Sequence, residues 1–239
     1  MIRSKKQYLA IVVLIILQVL VMIYWGMQKK GYHFDEILSY GLANSYYEPF
    51  ITRFDGYGSE WISSDRIIDF FEVTEDDRFA YDSVIYNQTQ DVHPPIWYML
   101  LHTVCSFSVG VFSKWQGIFL NLICFVGIDV ILYLLTKRLL NQKCALLAVF
   151  IWGFSMGAIN TVTFVRMYAL LSVWVLLFLY AHSVLFSESQ LSKSKLSYRN
   201  LAFLMVTTIL GTLTQYYFLI FAFFVCGVYI CFCVESGKS

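Results

Sequence analysis

Apolar residues run over spanning lengths at residues 8–28, 115–136, 144–163 and 167–186, and a longer run covers 201–234. Each of the first four is long enough for a helix crossing the hydrocarbon layer, which takes about 20 residues at 1.5 Å rise. The fifth is too long for one helix. Gly211 and the polar residues Thr212, Thr214, Gln215 and Tyr216 divide it into two short spans that turn near residue 215. A further apolar stretch, 96–112, follows Pro94 and Pro95, and its status decides the topology.

Positive residues settle that choice. They cluster at Arg3/Lys5/Lys6, at Lys137/Arg138/Lys143 and at Lys193/Lys195/Arg199, and the positive-inside rule puts all three clusters in the cytoplasm. A full crossing by 96–112 would carry the second cluster outside, so this segment is expected to stay at the outer side as a juxtamembrane or re-entrant helix. The expected fold is an all-α integral membrane protein, a polytopic bundle of about six transmembrane helices with both ends inside. Lys29 and Lys30 then sit outside, against the rule. The N-terminal run has no small-x-small cleavage site after it and reads as a retained signal anchor.

This topology gathers residues 31–95, the turn at 163–168 and the turn at 214–217 on one face of the membrane. Residues 31–95 form an extracytoplasmic loop too long to be structureless in a compact protein. Its aromatic-rich stretches, Tyr46/Tyr47/Phe50 and Ile67/Ile68/Phe70/Phe71, are expected to form short amphipathic juxtamembrane helices.

Composition agrees: 59% of the 239 residues are hydrophobic and 14% charged, so the bilayer is the expected solvent. The net charge of +1 hides an asymmetry. Of 16 acidic residues, all but Asp129, Glu188 and Glu235 lie between Asp35 and Asp91, where the only basic residues are Arg53, Arg66 and Arg78. No basic stripe exists to neutralise phosphates along a duplex, which argues against nucleic acid as a partner. The six cysteines fall in apolar segments without metal-ligand spacing, apart from the bare pair Cys231 and Cys233, and read as buried free thiols.

Candidate chemistry lies at the outer face. His33-Phe34-Asp35-Glu36 brings paired carboxylates out directly after the first span, where they can bind or deprotonate a hydroxyl, although acidic pairs in loops are usually solvated charges. Asp91-Val92-His93-Pro94-Pro95 holds Asp91 and His93 at the mouth of an apolar helix; the plain alternative is a helix start with an Asx-type cap. Arg166 opens a span, where it either snorkels as an anchor or offers a planar fork to a lipid phosphate. Tyr168 adds a hydroxyl donor or is a belt tyrosine. Glu75-Asp76-Asp77 is the one opening for a divalent ion, and such runs are more often solvated. Asp129 sits within a span, where an ionisable group suggests a partner or a water-filled cavity. Asn87-Gln88-Thr89 matches a glycosylation sequon, a pattern that recurs by chance.

The string D-V-H-P-P-I at Asp91–Ile96, downstream of the Asp35-Glu36 pair, resembles the protein O-mannosyltransferase and aminoarabinose transferase group, glycosyltransferase family 39 of the GT-C superfamily. Arg166-Met167-Tyr168-Ala169-Leu170 and Thr214-Gln215-Tyr216-Tyr217-Phe218 are similar to two further stretches of that group, in the same order. The resemblance covers nearly all of this chain but only the N-terminal half of a typical member. It implies a membrane glycosyltransferase that moves a sugar from a polyprenyl-phosphate carrier to a glycan, lipid or protein acceptor at the extracytoplasmic face of the plasma membrane, by inverting displacement and with no cofactor required. It further implies Asp35 and Glu36 as catalytic carboxylates, Asp91 and His93 on the acceptor side, Arg166 and Tyr168 on the donor phosphate, and Gln215 and Tyr216 nearby. In one departure, Phe164 stands where relatives commonly carry an acidic residue. The alternative from another class is a catalytically incomplete subunit that binds the lipid carrier or serves assembly; a transporter is more distant, because the spans carry little charge.

Overall fold

The computed structural model describes residues 2–51, 63–191 and 197–235. Arg53, Lys193, Lys195 and the side chain of Cys233, all used above, lie outside the described residues. In chain order the helices are α1 (Ile2–Gln28), α2 (Phe34–Asn44), α3 (Ser64–Asp69), α4 (Tyr81–Thr89), α5 (Ile96–Ser106), α6 (Lys114–Leu139), α7 (Gln142–Gly153), α8 (Met156–Thr163), α9 (Tyr168–Leu191), α10 (Tyr198–Thr214) and α11 (Tyr217–Glu235). The described residues contain no strand, and the chain is an all-helical membrane protein.

Three helices have full spanning length and apolarity, over Leu9–Gln28, Lys114–Leu139 and Tyr168–Ser187. Local signals fix their ends. Ser113 and Gln116 close a capping box at the start of α6, and Lys137 and Arg138 complement the helix dipole in its last turn. The expected division of the last apolar run holds, because α10 stops at Thr214 and α11 starts at Tyr217. A Cβ at Gly211 would lie 2.7 Å from the Phe218 ring, so the turn can close tightly only around glycine.

The apolar run 144–163 is not one straight helix. It is two helices, α7 and α8, meeting at 59°. Ser155 leaves the helical conformation and its hydroxyl accepts the Ala158 N–H, starting a new helix one residue after Phe154 closes the old one.

The segment 96–112 is helical only over its first 11 residues, as α5. That is about 16 Å, half of what a crossing needs. At Gly110 a positive φ of 66° reverses the chain, with the Gly110 N–H donating to Val73 O at 3.0 Å. The aromatic stretches split: Ile67 and Ile68 lie in α3, followed by buried Phe70 and Phe71, whereas Tyr46, Tyr47 and Phe50 are not helical. There Ser45 turns the chain out of α2, its hydroxyl bonding both Gly41 O and Glu48 O, and Tyr47 takes a positive φ of 50°.

Helices α2, α4 and α5 pack on one another, and α5 rests on α6 and α10. The shared core includes Tyr40, Leu42, Val84, Trp97, Tyr98 and Leu101 from this cap and Ile118, Phe125, Val165 and Met167 from the bundle. Tyr40 ties the two together: its hydroxyl donates to Ser113 O at 2.9 Å and accepts the Gly117 N–H at 3.0 Å. Asn87, the sequon residue, is fully buried here, with Nδ2 donating to Leu42 O and Ser45 O. A glycan on that nitrogen is incompatible with this packing.

Candidate functional site

The centre of the site is the short irregular turn between α8 and α9, Phe164–Met167. A buried backbone turn needs partners for its polar groups. Asn121, fully buried within α6, supplies some: its Nδ2 donates to Val162 O at 3.2 Å and Phe164 O at 2.9 Å. Glu36 supplies another, its Oε1 accepting the Val165 N–H at 2.7 Å. Close approach to α6 is possible because residue 117 is glycine; a Cβ there would lie 2.0 Å from Val165 Cγ1.

Glu36 has no exposure, and its other oxygen accepts from Lys29 Nζ at 2.8 Å and from the His33 N–H at 2.7 Å. The latter bond, with Asp35 N–H donating to His33 Nδ1, forms a capping box at the start of α2. Glu36 is therefore a structural latch, saturated by three donors, and its expected catalytic part is replaced by a positioning one. The latch also gives Lys29 a role: its ammonium pairs with a buried carboxylate. Lys114 beside it donates to Met27 O at 3.4 Å.

Arg166 is turned inward rather than snorkelling. Its guanidinium is buried, with one terminal nitrogen donating to Asp35 O at 3.3 Å, Ser39 Oγ at 3.1 Å and Tyr98 Oη at 3.4 Å. The other terminal nitrogen lies 3.1 Å from His93 Nε2, and His93 Nδ1 lies 2.7 Å from Asp91 Oδ2. A guanidinium can only donate, so Nε2 accepts and the proton of His93 sits on Nδ1, donated to Asp91. Asp91 thus balances Arg166 through a neutral imidazole. Arg166 Nε is buried and meets no acceptor among the described residues. Asp91 is not a helix cap, since the residue preceding α5 is Pro95, without a side-chain cap bond.

Asp35 sends its backbone carbonyl to Arg166 and leaves its carboxylate on the rim, 42% exposed and 3.7 Å from His33 Nδ1. Tyr168 lies apart from the guanidinium's partners. Its ring runs parallel to Phe164, 6.2 Å between centroids, and both line a cleft of about 560 Å³ with Lys29, His33, Glu36, Asn160, Thr161 and Thr163. At the α10–α11 turn Gln215 is buried and Tyr216 exposed; neither joins the hydrogen-bonded set around Arg166. No family model, no curated protein and no solved structure matches this chain.

The sequence brought out Asp35, Asp91, His93 and Arg166, which do converge. It missed Ser39, Tyr98 and Asn121, and gave Lys29 no role. Only Asn121 carried a signal, as a lone amide inside an apolar run. Glu75 and Asp77 serve their own loop: Asp77 accepts from Thr74 Oγ1 at 2.6 Å and Glu75 pairs with Arg78 at 3.2 Å. Asp129 is fully buried in α6, neither oxygen bonded among the described residues. Cys105, Cys124, Cys144, Cys226 and Cys231 carry free thiols.

Burial raises the Asp91 carboxyl, but the His93 hydrogen bond, the Val92 amide and the charge of Arg166 together hold it below its usual value. A depressed carboxyl contributes stability that is complete above its unfolded pKa, about 3.9, and is lost as pH falls through the lower folded value. The thermal midpoint of Asp91→Asn is therefore expected to lie below wild type at pH 6 and to converge on it toward pH 3. Parallel melting curves across that range would remove the relay from the account.

Proposed function

We propose that this chain is the donor- and acceptor-binding membrane part of a glycosyltransferase that moves a sugar from a polyprenyl-phosphate carrier to an acceptor at the extracytoplasmic face of the plasma membrane. In this reading six spans cross the bilayer, α7 and α8 together making one and α10 and α11 two short ones, and α5 remains outside. The observation that carries it is the buried guanidinium of Arg166, which lacks a direct carboxylate partner among the described residues, keeps one N–H unsatisfied, and donates to the backbone carbonyl of Asp35, whose carboxylate lies on the rim. Buried donors without acceptors are rare in native proteins, and a phosphate oxygen is a fitting acceptor here.

Asp35 takes the proton of the acceptor hydroxyl or amine as it attacks the anomeric carbon. The bond from that carbon to the phosphate oxygen breaks, and the lipid phosphate leaves with the negative charge that Arg166 steadies. Asp91 and His93 keep the guanidinium in place, and Glu36 holds the turn that carries it.

Arg166→Lys is expected to weaken binding of a short-chain polyprenyl phosphate to the protein in lipid nanodiscs by about ten- to a hundredfold, because lysine cannot reproduce the planar fork. Equal binding by wild type, Arg166→Lys and Arg166→Ala would remove Arg166 as a phosphate ligand. Sidedness is tested separately, by cysteine labelling in a cysteine-free background. Position 90 is expected to react from outside intact cells and position 140 only after permeabilisation; the reverse would overturn the topology.

The second reading, a carrier-binding subunit without catalysis, draws on the same guanidinium. It predicts phosphate binding with no transfer.

A further inference from the structure

The cleft beside the Arg166 turn has features that phosphate binding does not use. Its floor is aromatic: the Phe164 and Tyr168 rings lie within 8° of parallel, and His33 meets Phe164 edge-on at 5.5 Å. The two rings stack in parallel and together give the cleft an apolar aromatic shelf. Phe164 contributes to it at the position where the family resemblance leads one to expect a carboxylate, so the shelf belongs to this chain's own sequence.

The rim is polar but close to neutral, because the Lys29 ammonium lies 2.8 Å from Glu36. Thr161 and Thr163 donate their hydroxyl protons to Gly157 O and Ile159 O, both at 2.8 Å, which leaves their oxygens as acceptors. Asn160, exposed at the same edge, offers both donors and an acceptor. At about 560 Å³ the cleft falls within the range of small-molecule sites, about 300–1,000 Å³. A flat apolar floor under a neutral rim of hydroxyl and amide groups suits a ring that is apolar on its face and hydroxylated at its edge, and suits a free anion poorly.

We propose that the α2–α8 cleft binds a pyranose ring, with the C–H face of the sugar laid on the Phe164–Tyr168 shelf and its hydroxyls bonded to Asn160, Thr161 and Thr163. The choice of a sugar rests on the glycosyl-transfer reading; the position of the ring rests on the cleft. The ring belongs to the lipid-borne donor or to a glycan acceptor, and its chemistry is the same in both.

Saturation-transfer NMR on the full chain in lipid nanodiscs, with methyl glucoside, mannoside, galactoside and N-acetylglucosaminide as probes, tests this. Saturation of ring C–H protons is expected for at least one probe. Phe164→Leu, which keeps apolar volume but no aromatic face, is expected to weaken that probe about tenfold, whereas Phe164→Trp retains it. Added citronellyl phosphate carrying the same sugar separates the sources: displacement of the free glycoside assigns the ring to the donor, and simultaneous binding assigns it to the acceptor. Absence of saturation for all four probes, or equal binding by Phe164→Leu, overturns the shelf. Sugar binding without any transfer activity leaves the shelf standing and removes catalysis, while transfer with binding indifferent to Phe164 does the opposite.

Discussion

Glu36→Ala is expected to lower the stability of the protein by about 3–5 kcal/mol, the cost of stripping one partner from a buried ion pair. The substitution leaves the Lys29 ammonium, the His33 N–H and the Val165 N–H without their acceptor, so it loosens the end of α1, the start of α2 and the α8–α9 turn together. In a chain of this length the thermal midpoint should fall by on the order of 10 °C. Glu36→Gln keeps the shape and one acceptor oxygen and should fall less. A melting curve of purified Glu36→Ala matching wild type would show that these bonds do not hold the turn.

Asp35→Asn is expected to do the opposite, leaving the melting curve intact and reducing transfer by about 10²–10⁴-fold, the usual contribution of a general base. Its carboxylate is 42% exposed, and the bond that locks residue 35 in place comes from its backbone carbonyl, which asparagine keeps. Transfer is measured with the protein in proteoliposomes containing a polyprenyl-phosphate sugar. Full activity of Asp35→Asn would take Asp35 out of the chemistry. The adjacent carboxylates thus separate on two readouts, one for folding and one for transfer.

That separation was invisible in the sequence. The pair Asp35-Glu36 reads as two equivalent acids, because the capping box that claims Glu36 starts from His33, a residue seldom found as a helix cap. Only the fold shows that Glu36 also reaches Val165, 129 residues away. Hydropathy was legible in the long apolar helices α1, α6 and α9 and at the Thr214–Tyr217 break. It did not show the bend within 144–163, since Phe154 and Ser155 sit in an apolar context and the break comes from a serine cap that counts little on a hydropathy scale. The pairing of Lys29 with Glu36 was not legible, because it depends on how the end of α1 meets the start of α2. Arg166 stood out as a lone charge opening a span but not in its orientation, because Ser39 and Tyr98, which turn it inward, are ordinary-looking residues next to the motifs rather than in them.

The break between α7 and α8 bears on the lipid around the protein. The two helices rise about 18 Å and 12 Å, and with 59° between them their combined reach along α7 is only about 24 Å, against roughly 30 Å of hydrocarbon. In the six-span reading proposed above, a span that short would thin the bilayer or draw its headgroups inward at that flank. The flank ends at Asn160–Thr163, on the edge of the cleft. The membrane would thus dip toward the site, and a carrier diffusing in the outer leaflet would reach Arg166 without being lifted from the lipid. Bilayer thickness then becomes a control on access: thicker acyl chains should slow the arrival of a lipid-borne donor while leaving a water-soluble acceptor unaffected.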